Sequence, residues 1–240
     1  MHAIILAGGK GERLRPLTND RPKCMVEICG RPILSYQLAW LRHYGVVEVT
    51  ISCGYLASVI QDFFGDGSSL GLRLSYAVET EPLGRGGGFR HAMGAFTTNE
   101  PIIGMNGDNI TNLDLSDLVK RHMTARAMAT DVLTPLQSPY GIVDLAEDNQ
   151  ITGYRERPEL PFWLNAGIYA FDPAIRELLP ERGDHEDTTF PRLAAEHRLL
   201  GYPTRAFWRT ADTAKDVSEI ERELDGRDLD SFFAGGAPLP

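Results

Sequence analysis

The sequence predicts an α/β fold with a doubly wound, mainly parallel sheet. In the first half of the chain, short apolar runs typical of buried strands alternate with segments of helical periodicity. Two of these runs end in glycine-rich loops and a third ends in Asn106-Gly107-Asp108. Because such sheets bind ligands beyond the carboxyl ends of their strands, we expect the three motifs to meet in one crevice.

The elements of the first half follow in order from this pattern. Strands are predicted at Ala3–Ala7, Val47–Ser52, Leu72–Val78 and Pro101–Met105. Helices are predicted from Pro32 to about Tyr44, at Leu56–Phe64, at 89–96 and at about 115–126, with residues 79–88 as a loop.

The second half is expected to be richer in β-structure. Strands are predicted at 128–134, 141–146, 151–156 and 163–171, and helices at about 173–179, 189–197 and 214–224. Residues 226–240 are expected to form a loose tail after one domain of residues 1–225. No internal repeat is found.

Composition narrows the classes of function. The formal net charge of −9 argues against a nucleic-acid surface, which requires a basic face. The three cysteines, Cys24, Cys29 and Cys53, form no CxxC pair, which favours a reducing cytoplasm. No apolar run reaches the ~18 residues needed to cross a membrane.

The first glycine-rich loop runs from Gly8 to Arg15. Its glycines let backbone N–H groups face phosphate oxygens, and Arg13 adds charge-assisted bonds. The dinucleotide spacing GxGxxG fails because Leu14 stands at the last glycine's place, and the P-loop spacing also fails. On these residues alone, a phosphate-binding loop and a flexible turn remain equal alternatives.

Longer segments carry a resemblance to a known family. LAGGKGERLRPLT (Leu6–Thr18) and RPKCMVEICGRPIL (Arg21–Leu34) resemble the signature of the sugar-phosphate nucleotidyltransferases. The resemblance continues through PLGRGGG, MNGDN, YRERP and LNAGIYAF, covers roughly residues 1–220, and is strongest to the mannose- and heptose-1-phosphate guanylyltransferase branch. It implies a Rossmann-like nucleotidyltransferase fold with an inserted sugar-binding β subregion. Residues of about 1–125 would form the nucleotide-binding half and 126–225 the sugar-phosphate-binding half.

The resemblance also implies roles for individual residues. Arg13, Lys23 and Asp108 would be the catalytic residues. The nucleotide would be bound by Leu6, Ala7, Gly8, Gly9, Gly11, Arg13, Lys23, Glu79, Gly84, Asn106 and Asp108. The sugar phosphate would be bound by Gly141, Glu156, Arg157 and Asn165, where Arg157 replaces the usual lysine.

The metal ligands involve a departure from the family pattern. Asp108 would bind Mg²⁺, but the usual second aspartate is Thr210 here. A cytidylyltransferase branch places its aspartate two residues later, and Asp212 fits that variant. Asp212 is therefore the expected second ligand, with an N-cap for the following helix as the alternative role.

The implied reaction joins a nucleoside triphosphate to a sugar 1-phosphate and releases pyrophosphate. GTP is the preferred donor, because Glu79 can accept both the ring N–H and the amine of guanine. The acceptor stays open between mannose, heptose and cyclitol phosphates, as do CTP and UTP as donors. A non-catalytic nucleotide-binding regulatory subunit also stays open, as does a homo-oligomer.

The acidic residues Asp184, Glu186 and Asp187 beside His185 are expected to form a solvated loop.

Overall fold

The computed structural model describes residues 1–234, and its centre is a seven-stranded mixed sheet. The strands run β1 (His2–Leu6), β2 (Glu27–Ile28), β3 (Arg31–Pro32), β4 (Glu48–Cys53), β5 (Arg73–Val78), β6 (Ile102–Asn106), β7 (Asn109–Thr111), β8 (Ala129–Gln137), β9 (Ile142–Leu145), β10 (Ile151–Arg155), β11 (Glu159–Phe171), β12 (Leu199–Pro203) and β13 (Trp208–Thr210). The helices are α1 (Ile33–His43), α2 (Ala57–Phe64), α3 (Gly84–Met93), α4 (Leu115–Ala125), α5 (Thr189–Ala195), α6 (Ala214–Leu224) and α7 (Leu229–Ala234).

The central sheet has the order β12-β8-β11-β6-β1-β4-β5. Only β11 runs antiparallel to its two neighbours, β6 and β8. Two apolar clusters cover its faces: one includes Trp40 and Phe233, and the other includes Phe89 and Tyr169. The predicted α/β fold with a mainly parallel sheet is therefore confirmed. The hairpin β9–β10 lies outside the sheet, as expected of an inserted β subregion.

The second glycine-rich loop differs from its prediction. Helix α3 begins at Gly84, five residues before the predicted start, and includes three consecutive buried glycines, Gly86, Gly87 and Gly88. The Gly87 N–H donates to the Gly183 carbonyl oxygen at 3.2 Å. This close backbone contact requires residues without side chains, so tertiary packing overrides the low helix propensity of glycine.

The C-terminal segment also differs from the prediction of a loose tail. Residues 229–234 form helix α7, and Phe232 and Phe233 are buried against the sheet's larger apolar cluster. Residues 235–240, to which the same prediction applies, lie outside the described residues. Within residues 1–234, no helix has both the length and the apolar character needed to span a bilayer.

Candidate active site

The loop after β1 brings a lysine to the carboxyl ends of the central strands. Gly11 has φ +63°, and a Cβ there would stand 2.9 Å from Thr18 and 3.1 Å from the Cβ of Lys23. The Thr18 hydroxyl donates to the Gly11 carbonyl oxygen at 2.8 Å. Glycine is therefore needed at this left-handed position, and it allows Lys23 to pack directly against the loop.

Lys23 lies between two aspartates that are distant in sequence. Its Nζ donates to Asp108 Oδ2 at 2.6 Å and to Asp212 Oδ1 at 2.7 Å. Arg13 Nη2 donates to the same Asp212 oxygen at 2.7 Å. Burial alone would lower the pKa of Lys23, but the two carboxylates raise it above its ordinary value. Lys23 is thus a charged ammonium at neutral pH, held where two acidic side chains converge.

Asp108 is placed by the turn between β6 and β7. The Gly107 N–H donates to the Leu6 carbonyl oxygen at 2.8 Å, which ties the turn to the end of β1. Asn109 Nδ2 donates to the carbonyl oxygens of Ala166 at 2.9 Å and Gly167 at 3.2 Å, which ties it to β11. The turn is therefore held from both neighbouring strands.

Asp212 is placed by strand β13 and the start of α6. Strand β13 pairs with β7, and the Ala211 N–H donates to the Asp108 carbonyl oxygen at 3.3 Å. Asp216 Oδ2 accepts from the Asp212 N–H at 3.1 Å and from the Thr213 N–H at 2.7 Å. Thr213 is the N-cap of α6 within a capping box, so the alternative role of Asp212 as the N-cap is wrong.

A cavity of about 680 Å³ opens beside this lysine. Nine of the eleven residues predicted to bind the nucleotide line it: Leu6, Ala7, Gly8, Gly9, Lys23, Glu79, Gly84, Asn106 and Asp108. Gly11 lies behind Lys23, and Arg13 contacts Asp212. Lining residues that the sequence analysis did not assign include Lys10, Tyr55, Thr80, Arg85 and Asp184. Nucleotide binding by these residues stays a prediction.

Glu79 lies on the cavity wall with a fixed orientation. Its Oε1 accepts from the Ser52 hydroxyl at 2.8 Å and its Oε2 accepts from the Leu83 N–H at 3.1 Å. A carboxylate offers about four acceptor positions, so two remain for a ligand.

The four residues predicted to bind the sugar phosphate fall into two groups. Gly141 and Glu156 lie together, since a Cβ on Gly141 would stand 2.6 Å from the Tyr154 hydroxyl and 3.0 Å from Glu156 Oε2. Arg157 is exposed, with its Nε 3.7 Å from Glu156 Oε1. Asn165 lies on β11, where its Nδ2 donates to the Tyr169 hydroxyl at 3.0 Å. Their role in binding stays a prediction.

The segment 184–187 is not the solvated loop that its composition suggested. Asp184 lines the cavity and binds Arg85, with 2.8 Å both to the Arg85 N–H and to its Nη2. The His185 side chain is fully buried. The misleading signal was the charge density of the segment, because charged runs usually face solvent.

The residues present fit a hard divalent cation in part. No group of three or more His, Cys, Asp and Glu side chains that could hold a metal occurs among residues 1–234. Asp108 and Asp212 nevertheless supply two carboxylates around one point, and the Lys23 ammonium stands there as a cation. Carboxylate oxygens are ligands that Mg²⁺ prefers, with phosphate oxygens and water completing its coordination.

Fold and cavity together define a Rossmann-like α/β protein with a crevice at the carboxyl ends of its parallel strands. The chain belongs to the nucleotidyl transferase family, whose family model matches residues 2–224. The resemblance stated from the sequence motifs is therefore confirmed.

Named relatives agree with the family. The chain is 34% identical over 230 residues to a mannose-1-phosphate guanylyltransferase of Mycobacterium tuberculosis, covering 92% of this chain and 64% of that protein. It is 33% identical over 223 residues to the mannose-1-phosphate guanylyltransferase catalytic subunit beta of Dictyostelium discoideum, covering 90% and 62%. The chain thus spans less than two thirds of the length of these curated relatives.

The fold also matches solved structures. HddC from Yersinia pseudotuberculosis is 24% identical with a TM-score of 0.74, and the match covers 93% of this chain and 99% of that chain. A second structure of HddC, complexed with GMP-PN, matches with a TM-score of 0.73.

Proposed function

We propose that this protein transfers the guanylyl group of GTP to the phosphate of a mannose- or heptose-type sugar 1-phosphate and releases pyrophosphate. The observation that carries the proposal is the meeting of Asp108 and Asp212 on the Lys23 ammonium beside the 680 Å³ cavity. The relatives named as mannose-1-phosphate guanylyltransferases support the same reaction.

The chemistry needs positioning and charge stabilisation rather than a general base. An acceptor phosphate oxygen, already ionised at neutral pH, forms a bond to the α-phosphorus of the triphosphate. The bond from that phosphorus to the bridging oxygen breaks, and pyrophosphate leaves with the electron pair. Lys23 and Arg13 would donate hydrogen bonds to the phosphate oxygens on which charge accumulates. Lys23 lines the cavity, and both cations contact Asp212.

Members of the nucleotidyl transferase family generally use a divalent metal ion, and we propose Mg²⁺. Asp108 and Asp212 would hold it. When bound, Mg²⁺ supplies positive charge that neutralises the triphosphate and favours departure of pyrophosphate. The turn between β6 and β7 and the Asp216 cap keep the two carboxylates aimed at the same point.

Guanine is the proposed base because Glu79 has acceptor capacity left on the cavity wall. The Ser52 and Leu83 hydrogen bonds hold the carboxylate in place on the cavity wall, and each of its oxygens keeps further acceptor capacity for a ligand. Guanine's ring N–H and amine are two adjacent donors that match this arrangement. The structure of HddC complexed with GMP-PN supports a guanine nucleotide for a protein of the same fold.

The acceptor is proposed to bind along the hairpin β9–β10 and the start of β11. Glu156 and Asn165 would bind sugar hydroxyls, with the Gly141 backbone beside them, and Arg157 would bind the sugar phosphate as a planar cation. The unpaired cysteines Cys24, Cys29 and Cys53 fit a protein of the cytoplasm. A homo-oligomer stays a prediction.

Pyrophosphate release measured with four nucleoside triphosphates and a panel of sugar and cyclitol phosphates tests the proposal. GTP with mannose or heptose 1-phosphate is expected to give the highest kcat/KM. Lys23→Met and Asp108→Asn should each lower turnover ~10²-fold or more, the loss seen when a charge-stabilising group is removed. Higher turnover with CTP or UTP would contradict the choice of base.

A wild-type protein that binds GTP but releases no pyrophosphate with any acceptor would instead support a regulatory subunit. Asp62→Asn, an exposed change on α2 remote from the cavity lining, is the matched control for Asp108→Asn. Its kinetics should equal those of the wild type. Near-normal kinetics of Asp108→Asn would contradict the assignment of Asp108 as a metal ligand.

A further inference from the structure

A group of buried and partly buried polar side chains lies between the nucleotide cavity and Asn165. It consists of Asp131, Tyr169, His185 and Glu186, and we refer to it as the Glu186 cluster. Asp131 is 8% exposed, and Tyr169 and His185 are fully buried. Asp131 Oδ1 and His185 Nε2 have no hydrogen-bond partner, and His185 Nδ1 lies 3.2 Å from Glu186 Oε2 without the alignment of a hydrogen bond. Buried polar atoms without partners destabilise a fold, so a cluster of them calls for an explanation.

The sheet register explains how the cluster forms. Asp131 on β8 and Tyr169 on β11 are directly paired, so their side chains lie on the same face of the sheet. The segment that carries His185 and Glu186 covers this face. The His185 ring packs 4.6 Å from Phe190 and 5.0 Å from Tyr169, measured between ring centroids. Apolar packing thus encloses a carboxylate next to a phenol.

Glu186 is the central member because one of its oxygens has contacts in two directions. Its Oε1 accepts from the Tyr169 hydroxyl at 3.5 Å and lies 3.0 Å from Arg85 Nη1. Tyr169 in turn accepts from Asn165 Nδ2 at 3.0 Å. A continuous chain of polar contacts therefore connects exposed Asn165, on the proposed acceptor side, with Arg85 on the wall of the nucleotide cavity.

The direction of these hydrogen bonds determines which group of the Asn165 amide is available to a ligand. A carboxylate only accepts, so the Tyr169 hydroxyl must donate to Glu186 and its oxygen is left to accept from the Asn165 amide. The Asn165 carbonyl oxygen accepts from the Gly167 N–H at 2.6 Å. The amide cannot flip without breaking both bonds, and its second N–H stays available to a ligand.

Two members of the cluster, Asp131 and His185, are uncharged at neutral pH. Burial, and then the nearby Glu186, raises the pKa of Asp131 to about 8, so Asp131 is mainly neutral at pH 7. Burial, and then Arg85, lowers the pKa of His185 to about 3, which keeps the ring neutral. Burial raises the pKa of Glu186, and Arg85 opposes this effect. Arg85 is thus the counter-cation of the cluster.

We propose that Glu186 is a positioning residue for acceptor binding: it fixes the Asn165 amide through the Tyr169 hydroxyl, with Arg85 as its counter-cation. This proposal rests on the proposed function, since Asn165 is an acceptor-binding residue only in that context. The ligand class is a polyhydroxylated sugar phosphate, one hydroxyl of which accepts the second Asn165 N–H.

Steady-state kinetics of Glu186→Met and Tyr169→Phe test the proposal in the intact chain. Each change should raise the KM for mannose 1-phosphate about tenfold, the loss of one well-oriented hydrogen bond. The KM for GTP and kcat should stay within about threefold, because Asp184 still holds Arg85 through two bonds. The double variant should resemble the single ones, since both break the same chain of contacts.

Glu186→Gln keeps an accepting oxygen and should restore most of the acceptor affinity, which a purely structural role would not explain. Asp187→Asn, an exposed acid in the same segment, is the matched control and should leave both KM values unchanged. If Glu186→Met does not fold, the acceptor KM of Tyr169→Phe tests the proposal by itself, because this variant removes only one oxygen atom from the packed cluster. An unchanged acceptor KM in Tyr169→Phe, or additive effects in the double variant, overturns this proposal. A wild-type protein without pyrophosphate release overturns the proposed function first, and this one with it.

Discussion

Replacing Asp131 with asparagine should make the protein more stable at alkaline pH. Asp131 is buried at 8% exposure, and burial followed by the charge of Glu186 raises its pKa to about 8. In the unfolded chain, the same carboxyl ionises near pH 4. Between these two values the folded state binds the extra proton, so the free energy of unfolding falls as the pH rises from about 4 to about 8.

The size of the effect follows from the two pKa values. Each pH unit between them lowers the free energy of unfolding by ~1.4 kcal/mol. The wild type should therefore lose up to about 4 kcal/mol of unfolding free energy between pH 5 and pH 8 from this group alone. Asparagine has the shape of the protonated carboxyl group and does not titrate. For a chain of this length, 4 kcal/mol corresponds to about 8–16 °C in Tm.

Thermal unfolding of Asp131→Asn and the wild type at pH 5, 6, 7 and 8 measures the difference directly. The variant should gain in Tm over the wild type as the pH rises, and the gain should be largest at pH 8. Asp62→Asn, an exposed aspartate changed in the same way, should show no such trend. A constant difference between Asp131→Asn and the wild type across the four pH values would refute the reasoning.

Two further predictions concern the elements around the active site. Asp216→Ala should lower turnover about tenfold, because it frees the Asp212 backbone. It should also lower the free energy of unfolding by about 1 kcal/mol, because it removes half of a capping box. Ser218→Ala on the same helix is the control for kinetics and Tm. Phe233→Ala should lower the free energy of unfolding by about 3 kcal/mol, because the side chain is 1% exposed. An unchanged Tm would mean that α7 does not pack against the larger apolar cluster in solution.

The parallel strands could be predicted from sequence because β1 is a continuous apolar run, whereas β5, at the edge of the sheet, alternates between polar and apolar residues. The predicted β1, β4, β5 and β6 differ from the structure by at most one residue at each end. Continuous apolar runs are buried on both faces, so their composition alone identifies them. The elements that were missed, such as β7 and β13, are three residues long and pair only with each other, so local sequence carries little signal for them.

The candidate site could be predicted where contacts are local and not where they depend on long-range packing. The loop at Gly8–Gly9 and the turn at Asp108 each follow a strand, so their position was implied by the fold class. The position of Glu186 was not, because it depends on the packing of the neighbouring His185 against Tyr169 and on the cross-strand pairing of Asp131 with Tyr169. Charge in a sequence indicates solvent exposure until the packing is known.

The Lys23 contacts imply that metal and nucleotide binding are coupled. The Lys23 ammonium neutralises Asp108 and Asp212 at 2.6 and 2.7 Å, so a divalent cation must compete with it for both carboxylates. A triphosphate that attracts Lys23 and Arg13 frees the carboxylates. Lys23→Met should therefore bind Mn²⁺, a spectroscopic substitute for Mg²⁺, about tenfold more tightly than the wild type without nucleotide, although turnover falls.

Titration of Mn²⁺ followed by electron paramagnetic resonance measures this affinity without any turnover. Arg13→Met should have a smaller effect than Lys23→Met, because Arg13 contacts Asp212 alone and is 74% exposed. Asp108→Asn in the Lys23→Met background should remove the gain, since one of the two carboxylates is then missing. Weaker or equal Mn²⁺ binding by Lys23→Met would show that Lys23 does not compete with the metal, and the two aspartates would then serve mainly to orient the lysine.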